Sequence, residues 1–244
     1  MTRLDQALVE RGLCDSREKA KRFVLAGQVR INGQPARKPS DNIKPTDELA
    51  LDGVDKFVSR GGHKLELALE HFQLNVTGLT AIDLGASTGG FTECLLQHGV
   101  KKVFAVDVGQ GQLAWKLRQD QRVVVMEKTN ARHLKPDNFP TSADLVVIDC
   151  SFISLKKILP PAIPLLKPDG KIVSLIKPQF EAGKAEVDKG RGVITDAAIH
   201  KRVLAELQEF VATQAGVCWR GVVESPLLGP AGNKEFLVLI EKLR

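Results

Sequence analysis

The sequence predicts an α/β protein in which a small α+β domain precedes a doubly wound sheet of seven strands with an antiparallel last strand. A chain of 244 residues, 43% of them hydrophobic, is long enough to build one or two cores. From Gly62 onward, apolar strand-like runs alternate with helix-like segments, which favours a parallel sheet. The last two runs are joined only by SPLLGPAGNK, which is too short for a helical crossover. We therefore expect domains at 1–54 and 62–244, joined by a glycine-rich, charged linker at 55–61.

The first domain has the turn and capping residues of two helices and a hairpin. Thr2 and Asp5 form a capping-box pattern before an apolar stripe, which predicts a first short helix. Asp15 or Ser16 caps a second helix. Alternating apolar residues then run into the turn pair Asn32-Gly33, which predicts a strand and a tight turn.

This first domain is strongly basic. Between positions 15 and 38, seven basic residues face two acidic ones, within a chain that carries 35 Lys and Arg against 29 Asp and Glu. Such a patch suits a phosphate backbone, although a solvated helix face has the same composition. The candidate RNA-binding residues are Arg3, Arg17, Lys19, Lys21, Arg22, Arg30, Arg37 and Lys38.

Seven strand-like runs define the second domain, and they occur in the order TAIDL, KKVFAVDV, RVVVME, ADLVVID, GKIVSLIK, VCWRGVVE and EFLVLIE. The helix HKLELALEHFQL precedes them, with apolar residues at helical spacing. In a doubly wound sheet, ligands bind outside the carboxyl ends of the strands. The residues that follow each run are therefore the first candidates for a site.

The loop after the first run predicts a nucleoside-binding site. Gly85, Gly89 and Gly90 give G-x-x-x-G-G, whereas the dinucleotide fingerprint is G-x-G-x-x-G, so the spacing does not fit NAD. Asp107 ends the second run, where a carboxylate can accept two ribose hydroxyls. A nucleoside without phosphates fits this set, and S-adenosylmethionine is such a ligand, with its ammonium near Asp83. The candidate cofactor-binding residues are Asp83, Gly85, Ala86, Ser87, Thr88, Gly89, Gly90, Phe91, Asp107, Val108, Asn130, Ala131 and Asp149.

Four ionisable residues converge at the same edge of the predicted sheet. Asp149 closes the fourth run and Lys177 the fifth. Glu235 opens the antiparallel last run, which brings it to the carboxyl edge of the others, and Lys64 lies at the start of the leading helix. Lysines are rarely buried unless paired, so Lys177 at the end of a core strand is a candidate catalytic residue.

Two stretches of the chain resemble known modules. The segment RLDQALVERGLCDSREKAKRFVLAGQVRINGQPARKPS resembles the small α-L RNA-binding domain of a small-subunit ribosomal protein, tyrosyl-tRNA synthetases and many pseudouridine synthases. The second domain resembles the FtsJ-type ribose 2'-O-methyltransferases, whose Lys-Asp-Lys-Glu tetrad Lys64, Asp149, Lys177 and Glu235 match in order. Ser87-Thr88 departs from the Ala-Pro expected in that pattern.

Together, SRGGHKL, DLGASTGGFT, VIDCSFISL, LIKPQFE and GNKEFL resemble the TlyA, or hemolysin-A-like, family. This resemblance implies a Rossmann-like class I methyltransferase fold with S-adenosyl-L-methionine as cofactor. It also implies ribosomal RNA or ribosomal subunits as partners, and methylation of the 2'-hydroxyl of cytidine.

Composition excludes several other classes. No stretch of about 18 apolar residues is present, and the N-terminus MTRLDQALVERG lacks a leader pattern, so we expect a cytoplasmic protein without a membrane span. The four cysteines are far apart without a C-x-x-C pair, which predicts buried reduced thiols, with neither a metal site nor a disulfide framework.

Several alternatives stay open at this stage. Base methylation would favour a Pro-Pro-aromatic run after Asp149, which is followed here by Cys150-Ser151-Phe152. Cytosine C5 methylation would need Cys150 as a nucleophile. The chain could also be a non-catalytic RNA-binding or assembly factor, or a haemolysin. Lys177 could act as a general base, as the neutral amine, or as an orienting cation that stabilises the alkoxide.

Overall fold

The computed structural model describes residues 1–14, 16–53 and 56–244 and divides the chain into two units, Met1–Asp55 and Lys56–Arg244. Asp15, one of the two candidate caps for the second helix, lies outside the described residues. So do residues 54 and 55, where we expected the first domain to end and the linker to begin.

The N-terminal unit contains two helices and five short strands. In chain order these are β1 Thr2–Arg3, α1 Leu4–Glu10, α2 Arg17–Leu25, β2 Val29–Ile31, β3 Gln34–Pro35, β4 Asn42–Ile43 and β5 Leu49–Leu51. Strand β1 pairs with β4, and β2 lies between β3 and β5. The helices bury their apolar stripes in a small core that includes Leu4, Leu8, Ala20 and Val24.

Local turn chemistry accounts for two features of this unit. The Ser16 hydroxyl accepts a hydrogen bond from Lys19 N at 3.3 Å and so caps α2. Asn32 and Gly33 both have positive φ, 51° and 79°, as a two-residue hairpin turn between β2 and β3 requires. The predicted second helix, strand and turn are present.

The predicted capping box at the first helix is wrong. Helix α1 begins at Leu4, with Arg3 at its N-cap and no side-chain cap. Asp5 is fully buried and accepts hydrogen bonds from Arg3 at 3.1 Å and Arg17 at 3.0 Å. The bond from Arg3 is the main cause that lowers the pKa of Asp5 to about 2. Asp5 therefore binds the guanidinium groups of Arg3 and Arg17 and does not cap the helix.

Within the described residues, the second unit contains seven strands, seven α-helices and three short 3-10 helices, Ala131–His133, Pro136–Asn138 and Ile163–Leu165. The helices are α3 Gly61–His71, α4 Gly90–Gln97, α5 Trp115–Arg118, α6 Leu155–Ala162, α7 Pro178–Glu181, α8 Lys184–Lys189 and α9 Ala197–Ala212. The strands are β6 Thr80–Leu84, β7 Lys102–Val106, β8 Val123–Met126, β9 Ala143–Ile148, β10 Leu166–Ile176, β11 Val217–Glu224 and β12 Phe236–Lys242.

These strands form one sheet in the order β11-β12-β10-β9-β6-β7-β8. The pairs from β10 to β8 are parallel, whereas β12 is antiparallel to both of its neighbours. The prediction of seven strands with an antiparallel last strand is confirmed. The chain proceeds outward from β6 to one side and from β9 to the other, so the crevice at their carboxyl ends is the expected ligand site.

Alternation along the central strand separates the two cores of this unit. Ile82 and Leu84 belong to one hydrophobic cluster and Ala81 to the other. Asp83 therefore points to the same face as Ala81.

The segment before α3 packs against the second unit. Phe57 belongs to the same hydrophobic cluster as Ala81 and is only 2% exposed, and Val58 N donates a hydrogen bond to Glu93 at 2.5 Å. Part of the segment that we expected to be a linker thus packs with the second unit.

Candidate active site

The loop after β6 requires glycine because the backbone makes close contacts there. Gly85 has φ +86°, and a Cβ on it would lie 2.6 Å from the Asp149 carbonyl oxygen. Gly90 opens α4, where a Cβ would lie 2.2 Å from Ser59 Oγ and 2.9 Å from Gly62 N. The loop is therefore pressed against the end of β9 and the start of α3. A side chain at either position would prevent this close packing of the loop.

Asp107, directly after β7, is held by the same loop. Its Oδ2 accepts a hydrogen bond from Ser87 N at 2.8 Å, and its Oδ1 accepts one from Gly109 N at 2.7 Å. Each carboxylate oxygen has further acceptor capacity, so the group can still bind the two hydroxyls of a ribose. The position and chemistry of Asp107 fit its predicted role.

A groove of about 950 Å³ runs along the carboxyl ends of β6, β7 and β9. Seven of the predicted cofactor residues line it: Gly85, Ser87, Asp107, Val108, Asn130, Ala131 and Asp149. The segment at Asn130 is fixed by its own side chain, which accepts from Arg132 N at 3.1 Å. The residues present therefore fit an adenosine-type ligand, with Asp107 for the ribose and the 129–132 segment beside the base.

Asp83 lies beneath the loop and lines neither the groove nor the pocket described below. It is fully buried, and Thr92 Oγ1 donates to its Oδ2 at 2.7 Å. Its Oδ1 is without a hydrogen-bond partner among the described residues. Burial is the main cause that raises its pKa to about 7, with smaller contributions from the Asp149 and Asp107 carboxylates. A cationic ligand nearby would favour the ionised form of this carboxyl.

A second cavity, of about 270 Å³, adjoins the groove, and we call it the catalytic pocket. All four tetrad residues line it, as do Ala86, Thr88, Gly90 and Phe91. Gly85, Ser87, Asp149 and Ser151 line both cavities, so the two cavities meet there. Of the predicted cofactor residues, Gly89 joins Asp83 in lining neither, because it is buried against Leu113 and Leu117.

The tetrad forms two ion pairs within this pocket. Lys64 Nζ lies 2.5 Å from Glu235 Oε2, joining the first turn of α3 to the residue before β12. Lys177 Nζ lies 2.6 Å from Asp149 Oδ1, joining the ends of β10 and β9. The side chains of Lys64, Lys177 and Glu235 are buried and that of Asp149 is partly buried, so the surrounding protein holds the pairs.

Sequence reasoning missed several residues at this site. Lys177 Nζ also donates to Ser151 Oγ at 2.8 Å. Ser59 and Arg60 line the catalytic pocket from the segment before α3. Ser59 and Arg60 lie in the motif SRGGHKL and Ser151 lies in VIDCSFISL, so both motifs were recognised but these side chains were not assigned to the site.

The loop between β9 and α6 is fastened to α7. Glu181 accepts hydrogen bonds from Ser154 Oγ and Leu155 N, both at 2.6 Å, and burial raises its pKa. In this loop Phe152 has φ +61° and is 90% exposed, with its ring centroid 5.1 Å from that of Phe180. Both rings line the groove, and that of Phe152 is the exposed member of the pair.

Cys150 does not have the properties of a nucleophile. Burial raises the pKa of its thiol to about 12, and Sγ lies 3.5 Å from the Leu84 carbonyl oxygen. A thiol that stays protonated at neutral pH is a poor attacking group. The structure gives no support to the cysteine-dependent reaction, although Cys150 and Cys218 are only partly buried and not fully buried as expected.

The predicted RNA-binding residues differ in their ion pairs and in the exposure of their side chains. Arg3 and Arg17 are bound to Asp5, and Arg30 lies 2.6 Å from Asp52. Lys19 lies over the Phe23 ring at 5.9 Å. The remaining four, Lys21, Arg22, Arg37 and Lys38, have exposed side chains.

Comparison with known proteins identifies both units. Residues 57–242 match the family model of the FtsJ-like methyltransferases, and residues 2–49 match that of the S4 domain. In the part of the chain that the structure describes, no helix is long and apolar enough to cross a membrane.

Individual relatives extend the match over nearly the whole chain. The 16S/23S rRNA (cytidine-2'-O)-methyltransferase TlyA of Mycobacterium tuberculosis is 49% identical over 97% of this chain and 88% of its own length. Hemolysin A of Brachyspira hyodysenteriae is 41% identical over 96% of this chain and 98% of its own.

Solved structures are also similar to this chain. A protein of Streptococcus thermophilus described as a hemolysin is 46% identical, with a TM-score of 0.75 over 99% of this chain and 88% of its own. A protein from Listeria monocytogenes described as an S-adenosylmethionine-dependent methyltransferase is 18% identical, with a TM-score of 0.55 over 76% of this chain and all of its own, and shows a shared fold alone. With its S4 domain and its FtsJ-like methyltransferase domain, the chain belongs to the TlyA, or hemolysin-A, family.

Proposed function

We propose that this protein transfers a methyl group from S-adenosyl-L-methionine to the 2'-hydroxyl of a cytidine in ribosomal RNA, in the cytoplasm where ribosomal subunits are found. The observation that carries this proposal is the pair of lysine–carboxylate contacts, Lys64–Glu235 and Lys177–Asp149, in a pocket that opens into the groove. The M. tuberculosis relative carries the same activity in its name.

The groove supports the cofactor assignment. The remaining acceptor capacity of Asp107 supports its assignment to the ribose hydroxyls, and the carboxylates near Gly85 suit a cationic ligand. The bound cofactor supplies an electrophilic methyl group on a sulfonium. Because Gly85, Ser87, Asp149 and Ser151 line both cavities, a nucleophile in the catalytic pocket can reach a methyl group in the groove.

The pocket supports attack by a ribose hydroxyl. In the reaction the ribose oxygen forms a bond to the methyl carbon, the carbon–sulfur bond breaks, and the hydroxyl proton is released. Lys177 is the group we assign to that hydroxyl, either accepting its proton or stabilising the developing alkoxide. Glu235 and Asp149 hold the two lysines in fixed positions, so positioning contributes much of the rate.

The surface around the groove suits an RNA substrate. Nucleobases that are pulled out of a stack commonly rest on aromatic side chains, and Phe152 offers such a surface beside Phe180. In the N-terminal unit the exposed basic residues Lys21, Arg22, Arg37 and Lys38 suit a phosphate backbone. We therefore assign RNA recognition to that unit and methyl transfer to the other.

One assay tests the reaction. Ribosomal subunits from cells that lack this activity are incubated with labelled S-adenosylmethionine, and the RNA is then digested by alkali or nuclease. A 2'-O-methyl group blocks cleavage of the next phosphodiester bond, whereas a methylated base does not. Label in cleavage-resistant dinucleotides supports the proposal; label in mononucleotides, or none at all, contradicts it.

Lys177 provides the decisive variant. Lys177→Ala should slow methyl transfer by about 10²- to 10⁴-fold, while cofactor and RNA affinities stay nearly unchanged. Lys177→Arg keeps the charge but cannot release a proton, so a full loss favours the base and substantial activity favours the orienting cation. Lys201→Ala, on the exposed side of α9, is the matched control. Wild-type rates in Lys177→Ala would contradict the assignment.

A further inference from the structure

The side chain of Lys177 is held at two points, and only one of them is a charged partner. Asp149 Oδ1 lies 2.6 Å from Nζ, and Ser151 Oγ accepts a hydrogen bond from Nζ at 2.8 Å. Both partners come from the segment that follows β9. Ser151 has an exposed side chain, so packing in the core does not account for its position.

The tetrahedral geometry of the lysine nitrogen gives these two contacts a joint effect. A neutral amine has two N–H groups and one lone pair, and an ammonium has three N–H groups. The ion pair keeps Nζ beside Asp149, and the N–H directed at Ser151 Oγ fixes the rotation of the amine about the Cε–Nζ bond. The other two directions from Nζ are then fixed as well, and one of them carries the lone pair in the neutral form or an N–H in the charged form, so either chemical role of Lys177 depends on this orientation.

We propose that Ser151 is a positioning residue whose hydroxyl, together with Asp149, aims Lys177 Nζ at the reacting ribose oxygen. This inference rests on the proposed function. Ser151 lines both the groove and the catalytic pocket, which places it where the methyl donor and the ribose must meet. If the Ser151 hydroxyl is removed, the amine of Lys177 keeps only Asp149 as a partner and can rotate about that single contact.

The charged neighbours of Lys177 cannot replace Ser151. Lys64 and Glu235 are paired with each other at 2.5 Å, and Asp149 contacts Nζ as an ion pair but accepts no hydrogen bond from it at Oδ1. Because serine is uncharged, its removal leaves the net charge of the pocket unchanged. A Ser151 variant therefore changes the orientation of Lys177 separately from the electrostatics that every tetrad variant disturbs.

The test compares Ser151→Ala with Ser151→Thr, which keeps a hydroxyl, and with Ser142→Ala as a matched control at the opposite end of β9. The substrate is the same preparation of unmethylated ribosomal subunits, with labelled cofactor. In Ser151→Ala, kcat should fall by about 10- to 100-fold, the equivalent of one hydrogen bond to a charged group. KM for both substrates, the calorimetric affinity for S-adenosylmethionine and the thermal unfolding midpoint should stay close to wild type. Ser151→Thr should recover most of the rate.

Three results would overturn the inference. The first is a wild-type kcat in Ser151→Ala. The second is a loss of cofactor affinity with kcat unchanged at saturation, which would make Ser151 a cofactor contact. The third is a folded Ser151→Thr that is as slow as the alanine variant. If the wild-type protein itself yields no cleavage-resistant dinucleotide, the proposed function fails as well, so the two failures are distinguishable.

Discussion

Asp83 should make the methyltransferase unit lose stability as the pH rises from 6 to 8, and Asp83→Asn should remove that loss. The carboxyl is fully buried, and burial raises its pKa to about 7, whereas an aspartate in an unfolded chain titrates near 3.8. The folded state therefore binds a proton that the unfolded state has already released. The stabilisation from a raised folded-state pKa is complete below the unfolded-state value of 3.8, decreases as the pH rises above it, and is lost once the pH has passed through about 7.

The size of the effect follows from this pKa. For one group titrating near 7 in the folded state, the free energy of unfolding falls by about 1.4 kcal/mol between pH 6 and pH 8. Asparagine keeps an oxygen that can accept from Thr92 Oγ1, now 2.7 Å from the Asp83 carboxyl, and carries no charge at any pH. The variant can be more or less stable than wild type overall, but its stability should lack this pH-dependent term.

Urea unfolding at pH 6, 7 and 8 measures the difference between the two proteins. Trp115 and Trp219 both lie in the second unit, so tryptophan fluorescence reports on the unit that contains Asp83. All other ionisable groups are common to both proteins, so their contributions cancel in the difference. A wild-type minus variant difference that stays constant from pH 6 to pH 8 would show that Asp83 is ionised throughout and would refute the argument.

Three further substitutions or truncations test the site. Asp107→Ala should weaken S-adenosylmethionine binding by about 1.5 to 3 kcal/mol by removing the ribose acceptor, and unchanged affinity by calorimetry in a folded variant would mean that the nucleoside binds elsewhere. Gly85→Ala should cost at least about 1 to 3 kcal/mol of stability, because φ is +86° and the new Cβ would lie 2.6 Å from the Asp149 carbonyl oxygen; a wild-type unfolding midpoint would show that the loop can move away. A fragment of residues 56–244, which retains the buried Phe57, should bind the cofactor but lose most RNA affinity, while the full chain should bind RNA less tightly as salt increases. RNA binding by the fragment as tight as that of the whole chain would contradict the assignment of RNA recognition to the N-terminal unit.

The tetrad and the sheet could be predicted because both depend on strand order. Once Asp149 and Lys177 are placed at the ends of neighbouring parallel strands, their side chains meet at one edge of the sheet, as observed at 2.6 Å. Glu235 joins them because the short connection before it forces β12 to run the other way. The sequence pattern of the strands and the topology of the sheet therefore both place Asp149, Lys177 and Glu235 at the same edge.

The features that sequence reasoning missed depend on contacts between distant segments. The sequence pattern suggests that Asp5 belongs to a helix cap. In the structure Asp5 is buried, and its Oδ2 lies 3.0 Å from Arg17 Nη2. The sequence pattern suggests that Asp83 lines the groove. In the structure, the alternation of side chains along β6 directs it to the buried face of the sheet, beneath the glycine loop. Ser151 lies in the motif VIDCSFISL, but the motif does not show which of its side chains contacts Lys177, and the contact is found only in the structure, with Lys177 Nζ 2.8 Å from Ser151 Oγ.

The pairing of each lysine with a carboxylate explains how a pocket with two cations can adjoin a groove for a cationic cofactor. Two like charges about 4 Å apart repel by about 4 kcal/mol at an effective dielectric constant of about 20. An unpaired Lys64 and Lys177 would therefore oppose cofactor binding, whereas Glu235 and Asp149 cancel their charges within 2.5 and 2.6 Å. The balance also suits the reaction, in which the sulfonium loses its charge and the ribose hydroxyl loses a proton. Removing either carboxylate should therefore weaken cofactor binding as well as the rate, whereas Lys177→Arg, which keeps the charge of the pocket, should leave cofactor binding unchanged.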